Sequence, residues 1–266
     1  MRHLGWKGCM ALVGVWLVSA QAATAQTKTK MPKIDHRPIV FVVGTGGEDA
    51  RFGEKFRMAI EDVEHMDKYL RVEHVVWKRF ELSKKRNYLD QPGQLDGGKA
   101  MAARILDLKR ENPDLRVYIV AYSMGARVAL IAAELLPPDT IERIILLAPA
   151  VGATYDLNPA LRASRLGIDA FSSLEDSFLE FIEERLGTAD GKREPTAGRV
   201  GFRVPKTDDE LYRSRLRQFR WNESYYRFMH HGGHFGWTKR KFIHFAVLPM
   251  ITGLPFLPTT TGSGSY

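Results

Sequence analysis

The sequence has almost no cysteine. Its 266 residues contain one, Cys9, within an N-terminal stretch that we expect to be removed. Without Cys9 the mature chain has no thiol, which excludes disulfides, thiolate catalysis and cysteine metal sites. Stability must then come from an ordinary apolar core, and 44% hydrophobic residues are enough to build one.

The N-terminal apolar run is too short for a transmembrane helix. Residues 9–18 form a run of ten, whereas a membrane span needs about 20 residues. Basic residues precede the run and several alanines follow it, a pattern typical of a cleaved signal peptide. We therefore expect residues 1–25 to be a signal peptide, cleaved after Ala22 or Ala25, and the protein to be exported without a stable membrane span.

Charge of either sign is not gathered into blocks. Lys and Arg total 39 against 31 Asp and Glu, a net charge of +8 spread along the chain. This distribution favours contact with anionic surfaces but does not indicate nucleic acid as a partner. We expect a solvated lead-in over residues 26–38, one folded domain over residues 39–258 and a disordered tail over residues 259–266.

Buried-strand patterns alternate with amphipathic helix patterns from Ile39 to Leu186. Such alternation predicts an α/β fold, with a mostly parallel central sheet and helices on both faces. The charged stretch 84–92 is predicted to be a loop, and a last helix is predicted from about Trp237. The predicted strands are residues 39–43, 72–77, 117–121, 141–147, 166–172 and 216–221.

A serine lies where a predicted strand meets a predicted helix, in the string Ala121-Tyr122-Ser123-Met124-Gly125. A tight strained turn there lifts the hydroxyl clear of the sheet and requires small residues two positions away on each side. The amide of Met124, at a helix N-terminus, is a candidate oxyanion donor. The alternative role for Ser123 is a simple helix N-cap.

With this turn the sequence resembles the α/β-hydrolase family over residues 39–248, although Ala121 stands where glycine is usual. The resemblance implies a catalytic triad in the order nucleophile, acid, histidine, with Ser123 as nucleophile. It also implies a second oxyanion donor in the loop after the first strand, where Thr45 or Gly46 would supply the amide. The His-Gly pair of many relatives is Val43-Gly44 here.

His234 is the best candidate for the histidine. It follows two glycines, Gly232 and Gly233, in a loop that can bring an imidazole beside the serine. His230 and His231 are substitutes. A metal site is disfavoured, because the glycines would break a helix carrying His230 and His234 and no glutamate follows His230.

Two aspartates compete for the place of the acid. Asp176 lies at a predicted strand-to-helix junction on the same edge of the sheet as Ser123, where a family member carries its triad acid. Its alternative role is to stabilise a helix N-terminus. Asp190, in a glycine-flanked turn, is the second candidate, and a plain turn is its alternative.

Two glycine-rich segments raise the question of a nucleotide cofactor. The loop after the first strand fails the dinucleotide pattern, because the third glycine would fall on Asp49. Residues 93–100 match phosphate-loop spacing, but Ala100 replaces the required Ser or Thr and no buried strand precedes them. We therefore predict no cofactor and no metal.

These observations predict an exported serine hydrolase that cleaves small carboxylic esters, including lipid-like ones. Tyr122, Phe235 and Trp237 flank the catalytic positions and are predicted to form an apolar substrate-binding surface. The segment 187–226 is an insertion that would cap the site or form a surface excursion with the last strand. An acyltransferase, or a binding protein on the same fold without turnover, are the alternatives.

Overall fold

The computed structural model describes residues 35–45, 50–63, 65–80, 83–205 and 209–253. The predicted signal peptide, the predicted tail and most of the lead-in lie outside the described residues, as does Gly46. Within the described ranges, no helix is long and apolar enough to span a membrane.

Six parallel strands form one sheet in the order β2-β1-β3-β4-β5-β6. All six strand predictions are confirmed, with ends within about two residues of the predicted ones, the usual uncertainty of element boundaries. The strands are β1 Ile39–Val43, β2 Arg71–Val75, β3 Val117–Tyr122, β4 Arg143–Leu147, β5 Ile168–Ser172 and β6 Leu216–Arg220.

Helices cover both faces of the sheet, and every residue of β1, β3 and β5 is therefore buried. From β1 the chain crosses to β2, and from β3 it crosses in the opposite direction to β4, so right-handed crossovers place α1 and α4 on opposite faces. Helix α3 packs on α4, and α1 packs on the C-terminal helical segment. The helices are α1 Ala50–Glu61, α2 Lys84–Leu89, α3 Gln91–Glu111, α4 Gly125–Glu134, α5 Asn158–Ala163, α6 Ser177–Leu186, α7 Ala197–Val200, α8 Asp209–Arg215, α9 Arg240–Phe242 and α10 Leu248–Thr252.

The strand order reverses between β1 and β3. These adjacent strands lead to crossovers on opposite sides of the sheet, so the loops after their carboxyl ends diverge and leave a crevice. Thr45 follows β1 and Ser123 follows β3. The topology alone therefore brings the predicted nucleophile and the predicted oxyanion loop to one crevice.

The stretch 84–92 is helical, and its prediction as a loop is wrong. Ser83 begins α2 by accepting a hydrogen bond from the Arg86 amide at 3.2 Å, and Asp90 begins α3 by accepting one from the Gly93 amide at 3.1 Å. Each cap satisfies a backbone donor that would otherwise be unpaired at a helix start. Capping thus allows two helices in a stretch whose charge suggested a loop.

The glycines of residues 93–100 serve helix packing, and this segment lies inside α3. A Cβ at Gly97 would lie 2.5 Å from Trp77 Cβ, and one at Gly98 would lie 2.4 Å from Ile131 Cγ2. Because real Cβ contacts are almost never this short, glycine is needed at 97 for α3 to pack on Trp77 and at 98 for α3 to approach α4. Their spacing, which imitates a phosphate loop, reflects this close contact.

The last helix begins later than predicted. A 3₁₀ helix spans His234–Thr238, and α9 follows from Arg240, continuing through a π-helical turn at Ile243–Val247 into α10. The short 3₁₀ turn separates the histidine loop from the helix that anchors it.

Candidate active site

Ser123 occupies the turn between β3 and α4 in a left-handed backbone conformation, with φ 56°. Its amide donates to the carbonyl of Leu147 at 2.9 Å, and its own carbonyl accepts from the amide of Ala150 at 3.1 Å. A non-glycine residue holds such a conformation only when its surroundings enforce it. The backbone of the β4 end enforces it here and directs the hydroxyl away from the sheet.

Gly125 allows α4 to begin against the end of β1. A Cβ at this position would lie 2.4 Å from the carbonyl oxygen of Gly44 and 2.5 Å from that of Val43. The close approach brings Thr45 to the wall of the same cavity as Ser123 and Met124. Among the hydrogen bonds of the described residues the amide of Met124 has no acceptor. Gly46, the other predicted oxyanion donor, lies outside the described residues.

His234 connects the serine to the acid. Its Nε2 lies 3.0 Å from Ser123 Oγ, and its Nδ1 lies 2.7 Å from Asp176 Oδ2. The ring packs between Tyr122, at 5.0 Å between centroids, and Phe178, at 4.7 Å. Because a carboxylate can only accept, Nδ1 carries the proton and Nε2 is left as an acceptor for the serine hydroxyl.

Asp176 makes the contacts of both roles that the sequence left open. It is fully buried between β5 and α6, with Oδ2 on His234 and Oδ1 accepting from the amide of Leu179 at 2.9 Å. The second bond makes Asp176 the N-cap of α6. Asp190 instead accepts from the amide of Gly152 at 2.8 Å and makes no bond to His234.

His230 supports the histidine loop from the core. It is fully buried, its Nδ1 accepts from the amide of Gly232 at 3.1 Å, and its ring meets Trp237 edge-on at 4.1 Å. Burial lowers the pKa of His230 to about 4, so this imidazole is neutral near pH 7. The structure brings His234 to the serine, whereas His230 braces the turn.

Trp237 does not contribute to a substrate surface, and that prediction is wrong. Its side chain is fully buried, 5.6 Å from the Phe171 ring and 5.2 Å from the Phe242 ring. In a 3₁₀ helix the side chains repeat every three residues, so residue 237 turns inward with His234. Phe235, between them, is 62% exposed and lines the cavity.

A cavity of about 580 Å³ opens over the serine, within the usual size range of small-molecule sites. Helix α6 forms one wall, because its apolar stripe faces the cavity. The described residues of segment 187–226 contribute nothing to the lining, and the segment carries β6. The lining residues are Thr45, Phe52, Lys55, Lys85, Tyr88, Tyr122, Ser123, Met124, Phe178, Leu179, Phe181, Ile182, Arg185, Leu186, His234, Phe235 and Thr238.

Sequence reasoning did not find the walls contributed by α1, α2 and α6. Phe52, Tyr88 and Phe181 line the cavity from three helices that are distant in sequence. The exposure of Phe178 and Phe181, at 40% and 53%, is the structural sign of an apolar binding surface. Across the part of the chain that the structure describes, no group of three or more His, Cys, Asp or Glu side chains is arranged to hold a metal ion.

A scan against models of protein families finds no match, and a search of curated proteins also finds none. Solved structures do match. The poly(3-hydroxybutyrate) depolymerase LpqC of Bordetella parapertussis aligns with a TM-score of 0.51 and 12% identity, covering 85% of this chain and 83% of its own. Esterase 2 of Thermogutta terrifontis aligns with a TM-score of 0.45 and 11% identity, covering 86% and 89%. Carboxylesterase CesB of Bacillus subtilis aligns with a TM-score of 0.40 and 10% identity, covering 84% and 86%.

The likeness to LpqC and the order of the parallel sheet show the architecture of the chain. It has the α/β-hydrolase fold, as the sequence predicts. At these identities the likeness concerns the fold alone, so any activity must be argued from the site.

Proposed function

We propose that the protein is a serine hydrolase that cleaves carboxylic esters through an acyl-enzyme. The observation that carries the proposal is the chain of hydrogen bonds from Ser123 through His234 to Asp176, at the floor of an apolar cavity. A serine used only as a helix cap needs no histidine at its hydroxyl and no buried carboxylate behind that histidine. The three groups together have the geometry of an activated nucleophile.

In the proposed reaction Ser123 Oγ attacks the ester carbonyl while His234 Nε2 accepts its proton. The imidazolium, held by Asp176, then protonates the leaving alcohol and the acyl group remains on Ser123. Water, deprotonated by His234, releases the acid and restores the serine. The amides of Met124 and Thr45 would bind the oxyanion, each contributing about 3 kcal/mol to transition-state stabilisation.

The walls of the cavity support an ester with an apolar acyl group. Phe52, Phe181 and Leu186 offer apolar surface around the serine, and Phe235 extends it at the mouth. Burial of an aliphatic chain there contributes about 0.8 kcal/mol per methylene. We therefore propose small, lipid-like carboxylic esters as substrates.

The protein is further proposed to be exported. This proposal rests on the basic, apolar and small-residue order of residues 1–25. Mass spectrometry of the exported protein should find its N-terminus at Ala23 or Gln26. Recovery of the uncleaved chain in membranes would contradict it.

The activity is tested with p-nitrophenyl esters of graded acyl length, comparing the wild type with Ser123→Ala. We expect kcat/KM to rise with chain length in the wild type and turnover to be lost in the variant. Equal turnover in both would contradict the proposal. Acylation of the enzyme followed by transfer to an added alcohol rather than to water would identify an acyltransferase, and stable binding without acylation would identify a binding protein.

A further inference from the structure

The described residues that line the cavity carry charges of only one sign. Among these described residues Lys55, Lys85 and Arg185 are cationic, and none is Asp or Glu. The remaining walls are mainly aromatic and aliphatic. Binding of a neutral ester requires none of these three cations. Each of them must remain solvated or be paired with an anion.

Two of these cations come from helices that are joined at the cavity. Lys85 lies on α2, one turn before Tyr88. The Tyr88 hydroxyl donates to the carbonyl of Gly187 at 2.8 Å. Gly187 follows the end of α6, two residues beyond Arg185. This bond fixes the two helix ends side by side. The Arg185 guanidinium lies over the Phe181 ring, 3.8 Å from its centroid, and so is held against the apolar wall.

The acids that the structure describes do not neutralise these two cations. Within the described ranges neither Lys85 nor Arg185 forms an ion pair, and two acids of α6, Glu180 and Glu183, are bonded to Arg199 instead. Lys55 lies on α1 and donates to Thr238 Oγ1 at 3.0 Å. The cavity therefore combines apolar walls with a positive side formed by α2 and α6.

We propose that the cavity takes an anionic amphiphile, an apolar chain that carries a carboxylate or phosphate group recognised by Lys85 and Arg185. The identification of this ligand as an ester rests on the proposed function. Arg185 matches both anions, because its planar guanidinium can donate two parallel hydrogen bonds to either group. The apolar chain then lies along the aromatic walls toward Ser123.

The first test measures binding to the Ser123→Ala variant, where turnover cannot interfere. Octanoate, octyl phosphate and octanol are compared by calorimetry. We expect the anions to bind about tenfold more tightly than octanol, with the difference shrinking as salt is raised to about 0.5 M. Preference for one of the two anions identifies the recognised group. Equal or tighter binding of octanol overturns the proposal.

The second test measures kcat/KM on the p-nitrophenyl monoester of octanedioic acid relative to the p-nitrophenyl ester of octanoic acid. We expect a ratio of about ten in the wild type. Lys85→Gln or Arg185→Gln should each reduce this ratio about threefold or more, and the double variant should bring it close to one. The ratio is independent of any change in overall turnover that the variants cause.

Arg116→Gln is the matched control. It removes the same charge from an exposed residue before β3, at the sheet edge opposite Ser123, and should leave the ratio unchanged. An equal fall of the ratio in this variant would attribute the preference to net charge and overturn the proposal. If no ester is cleaved but Ser123→Ala still prefers the anions, the proposed function fails and the assignment of the ligand class stands.

Discussion

The carboxylate of Asp176 is shared between His234 and the first turn of α6. Oδ2 lies 2.7 Å from His234 Nδ1, while Oδ1 accepts from the amide of Leu179 at 2.9 Å. The same turn carries Phe178, whose ring packs 4.7 Å from the imidazole. One buried group therefore orients the histidine and begins the helix that forms the cavity wall.

Asp176→Asn should separate these two functions. Asparagine is as good an N-cap as aspartate, so its Oδ1 can still accept from Leu179 and the free energy of unfolding should change by less than about 1 kcal/mol. Its Nδ2 would donate to His234 Nδ1 and impose the wrong tautomer. We expect kcat to fall by up to about four orders of magnitude with little change in KM.

Two variants complete this test, with unfolding followed by chemical denaturation. Asp176→Ala loses the cap as well and should be destabilised by about 1 kcal/mol or more relative to Asp176→Asn. Asp190→Asn, at a carboxylate that only accepts from the Gly152 amide and lies near Lys192, should retain kcat within about tenfold. An inactive Asp190→Asn beside an active Asp176→Asn would reverse the assignment of the acid.

Backbone strain at Ser123 predicts a difference between two inactive variants. With φ at 56°, glycine fits the turn without strain, whereas alanine keeps the same steric conflict as serine. Ser123→Gly should therefore be more stable than Ser123→Ala by about 1 kcal/mol, measured by thermal or chemical unfolding. Lower stability of the glycine variant would show that the turn is relaxed.

The two glycines before His234 should respond differently to alanine. At Gly232, with φ 85°, a Cβ would lie 2.6 Å from Glu175 Cβ, whereas a Cβ at Gly233 would meet no atom within 4 Å. Gly232→Ala should displace the histidine loop and lower kcat at least tenfold, while Gly233→Ala should stay close to the wild type. Matching effects of the two substitutions would contradict the loop geometry.

Burial of His230 predicts that the folded state is weakened by acid. Its pKa is lowered to about 4 in the fold, against about 6.5 in the unfolded chain, so the unfolded state binds more protons between these values. Stability should fall as pH decreases through this window, by at most about 1.4 kcal/mol per pH unit. Denaturant titrations at about pH 7.5 and pH 5 measure this change.

The contribution of His230 is isolated by comparing slopes rather than absolute stabilities. His230→Asn should flatten the pH dependence even if it lowers stability throughout, because the buried titrating group is gone. His231→Asn, at an exposed histidine, should keep the wild-type slope. If the wild type and His230→Asn show the same slope, His230 is not the source of the loss of stability in acid.

The strands and the residues near the serine were predictable because their signals are local. A continuous apolar run predicts a buried parallel strand, and the string around Ser123 lies directly at the end of one. The glycines at 232 and 233 identify the loop of His234 in the same way. These features depend on a few adjacent residues, which a sequence displays directly.

The cavity was not predictable because its walls come from separate helices. Nothing in the sequence links Tyr88 of α2 with Gly187 at the end of α6, and only the fold joins them. Trp237 was misassigned for a related reason, since its direction depends on the short 3₁₀ helix that begins at His234. Apolar residues near a catalytic position can face either the core or the substrate.

The central claim is that Ser123 is a nucleophile activated by His234. It is tested most directly by treating the purified protein with a fluorophosphonate probe and locating the adduct by peptide mass spectrometry. We predict one phosphonylated residue, Ser123, with labelling lost in Ser123→Ala and slowed at least a hundredfold in His234→Ala. Absence of labelling in the folded wild-type protein, or an adduct on another residue, would contradict the account.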